Sequence, residues 1–542
     1  MSQTQALNLA WPLFCHAQNN PARTALGVEG RHISYGELAA AAARVANWLR
    51  SRGGAGAAPR VGILAARSFE AYAGILGVAW AGGTYIPLNP RMPASRLASA
   101  LQQAGAGGLI VDRRGTAALK ELGPAAPASV LIGDDARAES PDLPGTAWSE
   151  MPSPANAPPP AAVAADHPAY LIFTSGTTGA PKGVILTAAG VASFLASVRS
   201  IYALGPADRV AQFIELTFDP SVMELFGCWD GGASLHVIPE TKLMAPGGFL
   251  REHEITFFAA VPSLIAVMQR MKQLQPGALP ALRVSIFGGE GFSVELAHVW
   301  QAAAPNSVVD NQYGPTEATV CCMQQRLTEP PIETPGRGTL AIGKPYPGIE
   351  AGIIGPELNF LLPGQTGELA IAGPQLAIGY IGDDVMTARR FPTLDHPRLG
   401  RTRWYLTGDL AMCDQRGIFH CYGRVDHQVK VLGHRVELEE VEAHLRAVCS
   451  TNEVAAVAWP VVNGSAAGIV GFVCGSQLAP ATVREAMKQR VPAYMVPGKL
   501  LALDMLPLSS NGKVDRHALR ALLDKGFDQS LDRVLESGVA TS

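Results

Sequence analysis

Long apolar runs, clustered charge and a secretory leader are all missing from this sequence. No apolar run approaches the roughly 18 residues of a transmembrane helix, and the segment MSQTQALNLAWPLFCHAQ lacks the basic and apolar regions of a signal peptide. The net charge is −3 and there is no basic run, so neither a nucleic-acid nor a membrane partner is indicated. We therefore expect a cytoplasmic protein.

Paired cysteines are also absent. The eight cysteines are scattered, Cys321 and Cys322 are adjacent, and no two have CxxC spacing. This usage argues against a zinc site or a disulfide framework and suits a reducing compartment.

Apolar residues, by contrast, are abundant enough for a large core. They make up 48% of the 542 residues and charged residues 16%, which argues against global disorder and predicts two or more domains. The pattern predicts a helix over Ser34–Gly53, a buried strand over Arg60–Ala65 and a second helix over Tyr72–Gly83. Alternation of this kind predicts α/β layers with parallel strands.

The character of the chain changes at two places. Met151–Pro168 is rich in Pro and Ala and predicts a surface linker that need not divide domains. After residue 425 the chain predicts a compact α+β segment. We expect an N-terminal domain over residues 1–425, built of layered α/β subdomains with mixed sheets, and a small domain over residues 426–542.

The segment YLIFTSGTTGAPKGV, Tyr170–Val184, joins an apolar strand to a loop of glycines and hydroxyl groups. Glycines let backbone N–H groups point inward, hydroxyl groups donate to phosphate oxygens, and Lys182 adds positive charge, so the loop predicts a phosphate site. A Gly-rich surface turn is the alternative. The Walker pattern GxxxxGK[ST] does not fit, because Pro181 precedes Lys182 and Gly183 follows it.

This loop resembles a signature of the adenylate-forming enzymes, which comprise acyl-CoA synthetases, luciferases and nonribosomal-peptide adenylation domains. Seven further segments resemble motifs of that superfamily in the expected order: Gly82–Leu97, Phe218–Gly227, Asn311–Val320, Gly367–Tyr380, Tyr405–Leu410, Gly423–Glu442 and Leu506–Arg516. The resemblance implies that a carboxylate attacks the α-phosphate of ATP to give an acyl-adenylate and pyrophosphate, and that a thiol then displaces AMP. ATP and Mg²⁺ are the implied cofactors.

The resemblance also implies a nucleotide site. Thr316 would contact the α-phosphate, Glu317 would help to hold Mg²⁺, Tyr313 would stack on adenine, and Asp409 would accept hydrogen bonds from the ribose. The remaining residues expected to bind ATP are Thr174, Ser175, Gly176, Thr177, Thr178, Lys182, Gly289, Glu290, Gly291, Asn311, Gln312, Gly314, Tyr422 and Arg424. Taken singly, Asp409 could instead be a turn cap and Glu317 a helix-terminal charge.

Two lysines are the implied catalytic residues beside Thr316 and Glu317. By resemblance, Lys513 bridges the substrate carboxylate and the α-phosphate, whereas Lys430 belongs to the pose for thioester formation. Asp426 is the implied hinge about which the small domain is mobile, so that one site hosts two reactions in sequence. Leu432 stands where many members carry Arg, which puts the details of thiol docking in doubt.

Asp219, in FDPSV, indicates which acid is activated. In amino-acid-activating members an Asp at this position pairs with the substrate ammonium, and such an Asp discriminates against acids without an amine. A helix N-cap is the alternative, since Pro220 follows. The other implied pocket residues are Pro220, Met223, Ser263, Ile286, Gly288, Gln312, Val320 and Cys321. None is charged, so we expect a largely neutral side chain on an α- or β-amino acid.

The expected partner is a separate carrier protein with a phosphopantetheine thiol, because no attachment site follows Lys513. We therefore expect a stand-alone amino-acid adenylating enzyme of natural-product, nonribosomal-peptide-like biosynthesis, as a monomer or homodimer. An acyl- or aryl-CoA ligase, a D-alanine–carrier protein ligase and a catalytically inactive relative are the alternatives.

Overall fold

A computed structural model describes residues 7–52, 58–152, 158–175, 181–425, 428–431, 433–462, 465–475, 478–507 and 514–526. The described chain groups into two compact units. The first takes in the residues up to Pro90, Ala98–Phe173 and Gly183–Gly423. The second takes in Arg91–Leu97, Thr174–Lys182 and the residues from Arg424 onward. The predicted hinge, Asp426, lies outside the described residues, and the domain boundary beside it stays a prediction.

Helices and strands alternate through most of the chain before residue 424. The helices are α1 Trp11–Asn19, α2 Tyr35–Arg52, α3 Phe69–Trp80, α4 Ala94–Ala104, α5 Thr116–Leu122, α6 Asp134–Glu139, α7 Ala188–Tyr202, α8 Pro220–Val222, α9 Cys228–Gly231, α10 Gly247–Glu252, α11 Pro262–Arg270, α12 Val294–Ala303 and α13 Asp384–Arg390. The strands are β1 Thr24–Val28, β2 Arg31–Ser34, β3 Arg60–Leu64, β4 Thr84–Leu88, β5 Gly108–Val111, β6 Ser129–Ile132, β7 Thr146–Ala147, β8 Pro168–Thr174, β9 Lys182–Thr187, β10 Arg209–Gln212, β11 Ser234–Val237, β12 Phe257–Ala260, β13 Val284–Gly288, β14 Val308–Tyr313, β15 Met323–Arg326, β16 Glu333–Thr334, β17 Thr339–Leu340, β18 Lys344–Pro345, β19 Glu350–Ile354, β20 Thr366–Ala372, β21 Gly379–Tyr380, β22 Thr393–His396, β23 Gly400–Arg403, β24 Tyr405–Cys413 and β25 Phe419–Arg424.

Two large sheets organise the first unit. One has the strand order β18-β15-β14-β13-β12-β10-β11-β1-β2, and the other has the order β21-β9-β8-β4-β3-β5-β6-β7. Their central strands pair in parallel, as β12–β13–β14 and β4–β3–β5–β6 do, while antiparallel strands close some of the edges. A four-stranded sheet, β19-β20-β24-β25, follows. The predicted α/β class with mixed sheets is confirmed.

Local sequence explains why the predicted helices form where they do. At the start of α2, the Ser34 hydroxyl accepts from the Glu37 N–H at 3.2 Å and the Glu37 carboxylate accepts from the Ser34 N–H at 2.8 Å, a reciprocal capping box. The Ser68 hydroxyl caps α3 by accepting from the Ala71 N–H. The predicted strand at Arg60–Ala65 is β3, whose last four residues are all buried.

The second unit is a smaller α+β assembly. Its elements are β26 Gln428–Val431, β27 His434–Glu437, α14 Leu438–Cys449, β28 Val454–Ala458, β29 Val461–Val462, β30 Ser465–Ala466, β31 Ile469–Val473, α15 Pro480–Lys488, β32 Lys499–Ala502 and α16 Arg516–Asp524. The strands form two sheets, β27-β26-β30-β29 and β28-β31-β32. Leu519 and Leu523 of α16 are buried in an apolar cluster with β28 and β31. Across the described ranges of both units, no helix has the length and apolar content to cross a membrane.

Candidate active site

Asp219 stands immediately before a helix with an irregular turn. Pro220 opens α8, and Met223–Gly227 forms a π-helical turn between α8 and α9, a feature that is frequent at functional sites. The Asp219 side chain makes no cap hydrogen bond to this helix. The helix-cap alternative for Asp219 therefore fails, because a capping aspartate accepts from an N–H of the first turn.

The Asp219 carboxylate is buried and only partly satisfied. It accepts from the Thr316 hydroxyl and the Val320 N–H, whereas its Oδ2 atom is buried without a hydrogen-bond partner. Burial above all, with a contribution from the Glu317 charge, raises the pKa of Asp219 to about 7. A lone carboxylate oxygen in such a place costs free energy unless a cation or donor comes beside it.

The turn that supplies the Val320 N–H has an unusual backbone. Thr319 and Val320 have φ values of 55° and 68°, which β-branched residues rarely adopt. Gln375, with none of its surface exposed, holds the turn. The side-chain Nε2 of Gln375 donates to the Ala318 and Cys321 carbonyls at 3.1 and 2.9 Å. The main-chain carbonyl of Gln375 accepts from the Thr319 hydroxyl at 2.5 Å. The strain of the turn is thus balanced by a dedicated buried amide.

Glu317 lies in the short 3₁₀ turn Thr316–Ala318 and is 1% exposed. Its carboxylate accepts from the Tyr380 hydroxyl at 2.7 Å. A turn of three residues has little dipole to complement, so the helix-charge alternative is weak. Among the residues that the structure describes, no group of three or more His, Cys, Asp or Glu could hold a metal ion. A Mg²⁺ at Glu317 would therefore take its other ligands from phosphate and water, as this ion commonly does.

The structure brings Tyr313 and Asp409 together. Tyr313 ends β14, and its hydroxyl donates to Asp409 Oδ2 at 2.5 Å. Asp409 lies inside β24 rather than at a turn, so the turn-cap alternative fails. Gly314 follows Tyr313 in a space closed to any side chain, since an added Cβ would lie 2.4 Å from the Cys321 Cα atom. The predicted base-binding and ribose-binding residues are neighbours in the folded chain.

The other predicted residues of this region lie at the ends of β13 and β14. Gly288 is opposite Gln312 in the parallel register, and Gly289 has a φ of 81° that favours glycine. The Glu290 carboxylate accepts from the Ser263 N–H at 3.1 Å at the start of α11. Asn311 Nδ2 donates to the Ala341 carbonyl at 2.8 Å.

The predicted pocket residues are mainly buried and belong to one unit. Those classed as buried are Met223, Ile286, Gln312, Val320 and Cys321, and those partly buried are Pro220, Ser263 and Gly288. They come from four separate stretches of chain, which the strand order of the large sheet places side by side.

The predicted phosphate loop is described only at its ends. Thr174 ends β8 and Lys182 begins β9, while Gly176, Thr177 and Thr178 lie outside the described residues. Thr174–Lys182 groups with the second unit. There the Ser175 hydroxyl donates to the Arg435 carbonyl at 2.8 Å, and Lys182 Nζ lies 3.7 Å from Glu437 Oε1.

Both predicted catalytic lysines belong to the part of the chain after residue 424. Lys430 lies in β26 and is half-buried, whereas Lys513 lies outside the described residues, as does Leu432. Tyr422 and Arg424 lie on β25, where the Tyr422 carbonyl accepts from Arg337.

Sequence reasoning missed three residues that position the site: Gln375, Tyr380 and Tyr202. Gln375 and Tyr380 lie within the Gly367–Tyr380 motif, but no local pattern indicates that they reach back to residues 317–321. Tyr202 ends α7 and bonds to Gln312, which only the folded chain reveals.

The comparisons with known proteins agree with this arrangement. The family model described as AMP-binding enzyme matches residues 13–381. The chain belongs to the AMP-binding enzyme family. Members of this family that resemble it include tyrocidine synthase 2 of Brevibacillus parabrevis, 35% identical over 93% of this chain, and delta-poly-L-ornithine synthetase of Acinetobacter baumannii, 32% identical over 94%. The predicted family is confirmed.

A solved structure provides a further comparison. The Vibrio cholerae adenylation domain AlmE, in complex with glycyl-adenosine-5'-phosphate, has a TM-score of 0.84 and 29% identity, with 95% of this chain and 98% of that one covered. The large curated relatives extend well beyond this AMP-binding enzyme, which spans 13% of tyrocidine synthase 2 and 36% of delta-poly-L-ornithine synthetase.

Proposed function

We propose that this AMP-binding enzyme activates an amino acid with ATP and transfers it to the phosphopantetheine thiol of a separate carrier protein. The observation that carries the proposal is Asp219 Oδ2, a buried carboxylate oxygen without a partner. A substrate ammonium beside it would supply both the missing hydrogen bond and the opposite charge. An acid without an amine would leave this oxygen unsatisfied, which disfavours aryl and fatty acids.

In the first step, a carboxylate oxygen of the amino acid attacks the α-phosphorus of ATP. The bond between the α-phosphorus and the bridging oxygen breaks, and pyrophosphate leaves. Such a reaction depends mainly on positioning and charge neutralisation. Thr316 would contact the α-phosphate and Lys513 would neutralise charge as it develops, while Lys182 and the hydroxyl groups of its loop hold the leaving phosphates.

Glu317 would hold Mg²⁺ in this scheme, and the ion would neutralise phosphate charge. The fit rests on a buried carboxylate whose orientation Tyr380 fixes with a hydrogen bond of 2.7 Å. Tyr313 would pack against the adenine. Asp409, held by the Tyr313 hydroxyl, would accept from the ribose hydroxyl groups.

In the second step, the carrier thiol attacks the adenylate carbonyl and loses its proton, and AMP leaves with the bonding electrons. Lys430 would serve this step, and Asp426 would act as the hinge between the two reactions. Support for an aminoacyl substrate comes from AlmE, which holds glycyl-adenosine-5'-phosphate. Support for the assembly of a peptide-like product comes from the synthase and synthetase names of the curated relatives.

Pyrophosphate exchange into ATP tests the proposal. The enzyme is incubated with ATP, Mg²⁺ and labelled pyrophosphate, together with α-amino, β-amino, aryl and fatty acids in separate reactions. We expect exchange with at least one amino acid and none with its deaminated analogue. Exchange with aryl or fatty acids alone would refute the proposal and make the chain an acyl- or aryl-CoA ligase.

A further inference from the structure

A chain of buried polar contacts runs behind the predicted pocket. It begins with Asp310 of β14, which has none of its surface exposed and lies directly opposite Arg326 in the antiparallel register. Arg326 Nε and Nη2 donate to the two Asp310 oxygens at 3.0 and 3.1 Å. This two-pronged pair fixes the position of the Asp310 carboxylate in the sheet.

The Tyr202 hydroxyl is the next link. Burial, followed by the Asp310 charge, raises the pKa of Tyr202 well above its usual range, so the hydroxyl keeps its single proton. The hydroxyl donates that proton to Gln324 Oε1 at 3.3 Å, on the side of the sheet where the Asp310 carboxylate also lies. The oxygen of Tyr202 is then left only as an acceptor.

The direction of the Tyr202 hydroxyl fixes the orientation of the side-chain amide of Gln312. Gln312 Nε2 lies 2.6 Å from the Tyr202 oxygen, and only the NH₂ group of an amide can donate to it. A rotated amide would place two acceptors against each other. Gln312 Oε1 must therefore face away from Tyr202, where it is buried without a partner.

Gln312 Oε1 and Asp219 Oδ2 are thus two buried acceptors without partners, on residues that both belong to the predicted pocket. Cys321, also a pocket residue, lies against Gly314, because a Cβ added to Gly314 would lie 2.4 Å from the Cys321 Cα atom. Gly314 is two residues from Gln312, and Cys321 directly follows Val320, a neighbour of Asp219. In the proposed function, Asp219 Oδ2 accepts a hydrogen bond from the substrate ammonium. Gln312 Oε1 needs a second donor.

We propose that Gln312 Oε1 accepts a hydrogen bond from a neutral donor, a hydroxyl or carboxamide, on the side chain of the activated amino acid. Tyr202 is the positioning residue that aims this oxygen. A cationic side chain fits poorly, because both oxygens of Asp310, the charged group behind Gln312, already pair with Arg326. This inference rests on the proposed function and names the class of its substrate.

The test compares pairs of amino acids that share a shape and differ in the donor: asparagine with leucine, threonine with valine, and tyrosine with phenylalanine. Pyrophosphate exchange gives kcat/KM for each member with the wild-type enzyme. We expect the donor member of the best pair to exceed its partner by about tenfold to a hundredfold, the usual value of a satisfied buried acceptor.

Two variants separate recognition from structure. Gln312→Leu should bring the ratio within the best pair close to one. Tyr202→Phe keeps the ring but frees the amide to rotate, so the ratio should fall about tenfold while Gln312 remains. Tyr35→Phe is the matched control, since it also removes a buried tyrosine hydroxyl, bonded to the Ala233 carbonyl at 2.7 Å, and should leave the ratio unchanged.

The outcomes are distinguishable. Equal or better exchange with leucine, valine and phenylalanine in the wild type would overturn the inference and leave the proposed function in place, with water as the partner of Gln312. No exchange with any amino acid would overturn both. If Tyr202→Phe does not fold, the wild-type ratio and the Gln312→Leu ratio still decide.

Discussion

At the scale of single residues, the site is defined by what Asp219 has and lacks. Its motif indicates an ammonium partner, because an Asp in that place is typical of amino-acid-activating enzymes. The sequence could not predict the rest, since the donors to Asp219 come from Thr316 and Val320, about a hundred residues along the chain. The unpartnered Oδ2 follows from that distant packing.

The pH dependence of activation should report the ionisation of Asp219. Burial raises its pKa to about 7 in the free enzyme, so the carboxylate that pairs with ammonium is formed only above that pH. We predict that kcat/KM for the amino acid in pyrophosphate exchange falls by up to about tenfold per pH unit below about pH 7. The acidic decline of kcat should lie at lower pH than that of kcat/KM, because the bound ammonium lowers the pKa of Asp219.

Asp219→Asn is the control for this profile. It keeps the shape of the side chain and removes the titration, so its kcat/KM should be low and nearly flat over the same range. An unchanged acidic limb in Asp219→Asn would assign the titration to another group.

At the scale of elements, the helix α16 is placed by contacts to two other elements of the second unit. It follows directly after the segment that contains Lys513, and the Asp515 N–H donates to the Pro507 carbonyl at 2.8 Å, which joins the two ends of that segment. Arg516 Nη2 lies 2.7 Å from Glu442 Oε1 of α14, and the same oxygen accepts from the Ala456 N–H of β28 at 2.9 Å. One buried carboxylate thus holds three elements together.

Arg516→Met should therefore lower both stability and adenylation. It leaves the Glu442 carboxylate, 4% exposed, short of its main cation, so we predict a loss of about 3 kcal/mol in the free energy of unfolding. Pyrophosphate exchange should fall as well, because the proposed catalytic Lys513 lies three residues before Arg516 in the chain. Urea unfolding and exchange measure the two effects.

Arg446→Met is the matched control for Arg516→Met. Arg446 contacts the other oxygen of Glu442 at 3.4 Å from an exposed position, where an ion pair is worth about 0.5 kcal/mol or less. Equal losses in the two variants would show that the α16 contact has no special role.

The sequence predicts regular helices and strands better than the irregular turns at their ends. The helix at α2 follows from Ser34, Glu37 and an alanine-rich run, all of which are local. The π turn at Met223–Gly227 and the left-handed backbone at Thr319 and Val320 do not follow from any local pattern. Tertiary packing, including the buried Gln375 amide, stabilises such conformations against local preference.

At the scale of the whole molecule, the α/β class follows from alternating segments, but the strand order does not. The sheet that ends in β1 and β2 joins the N-terminal hairpin to β11, some two hundred residues away. The hydrophobic periodicity predicts which face of each strand is buried, but it does not predict which strands lie beside it in the sheet. The order decides the site, because it brings β13, β14 and the turn after β14 together.

The proposed reaction sequence divides labour between two lysines, which predicts opposite defects. Lys513→Ala should lower pyrophosphate exchange by on the order of a hundredfold or more, since a charge that stabilises the transition state is lost. Lys430→Ala should lower transfer to a carrier thiol far more than it lowers exchange. Near-normal exchange in a folded Lys513→Ala enzyme would remove that residue from the first step.

The most direct measurement of the central claim is kcat/KM for the activated amino acid and for its deaminated analogue, in wild type and in Asp219→Ala. The account predicts that the variant loses about 2–5 kcal/mol of transition-state binding toward the amino acid, on the order of thirtyfold to several thousandfold, and little toward the analogue. The preference for the amine should then nearly vanish. A variant that keeps the wild-type preference would contradict the account, because Asp219 could not be the partner of the substrate ammonium.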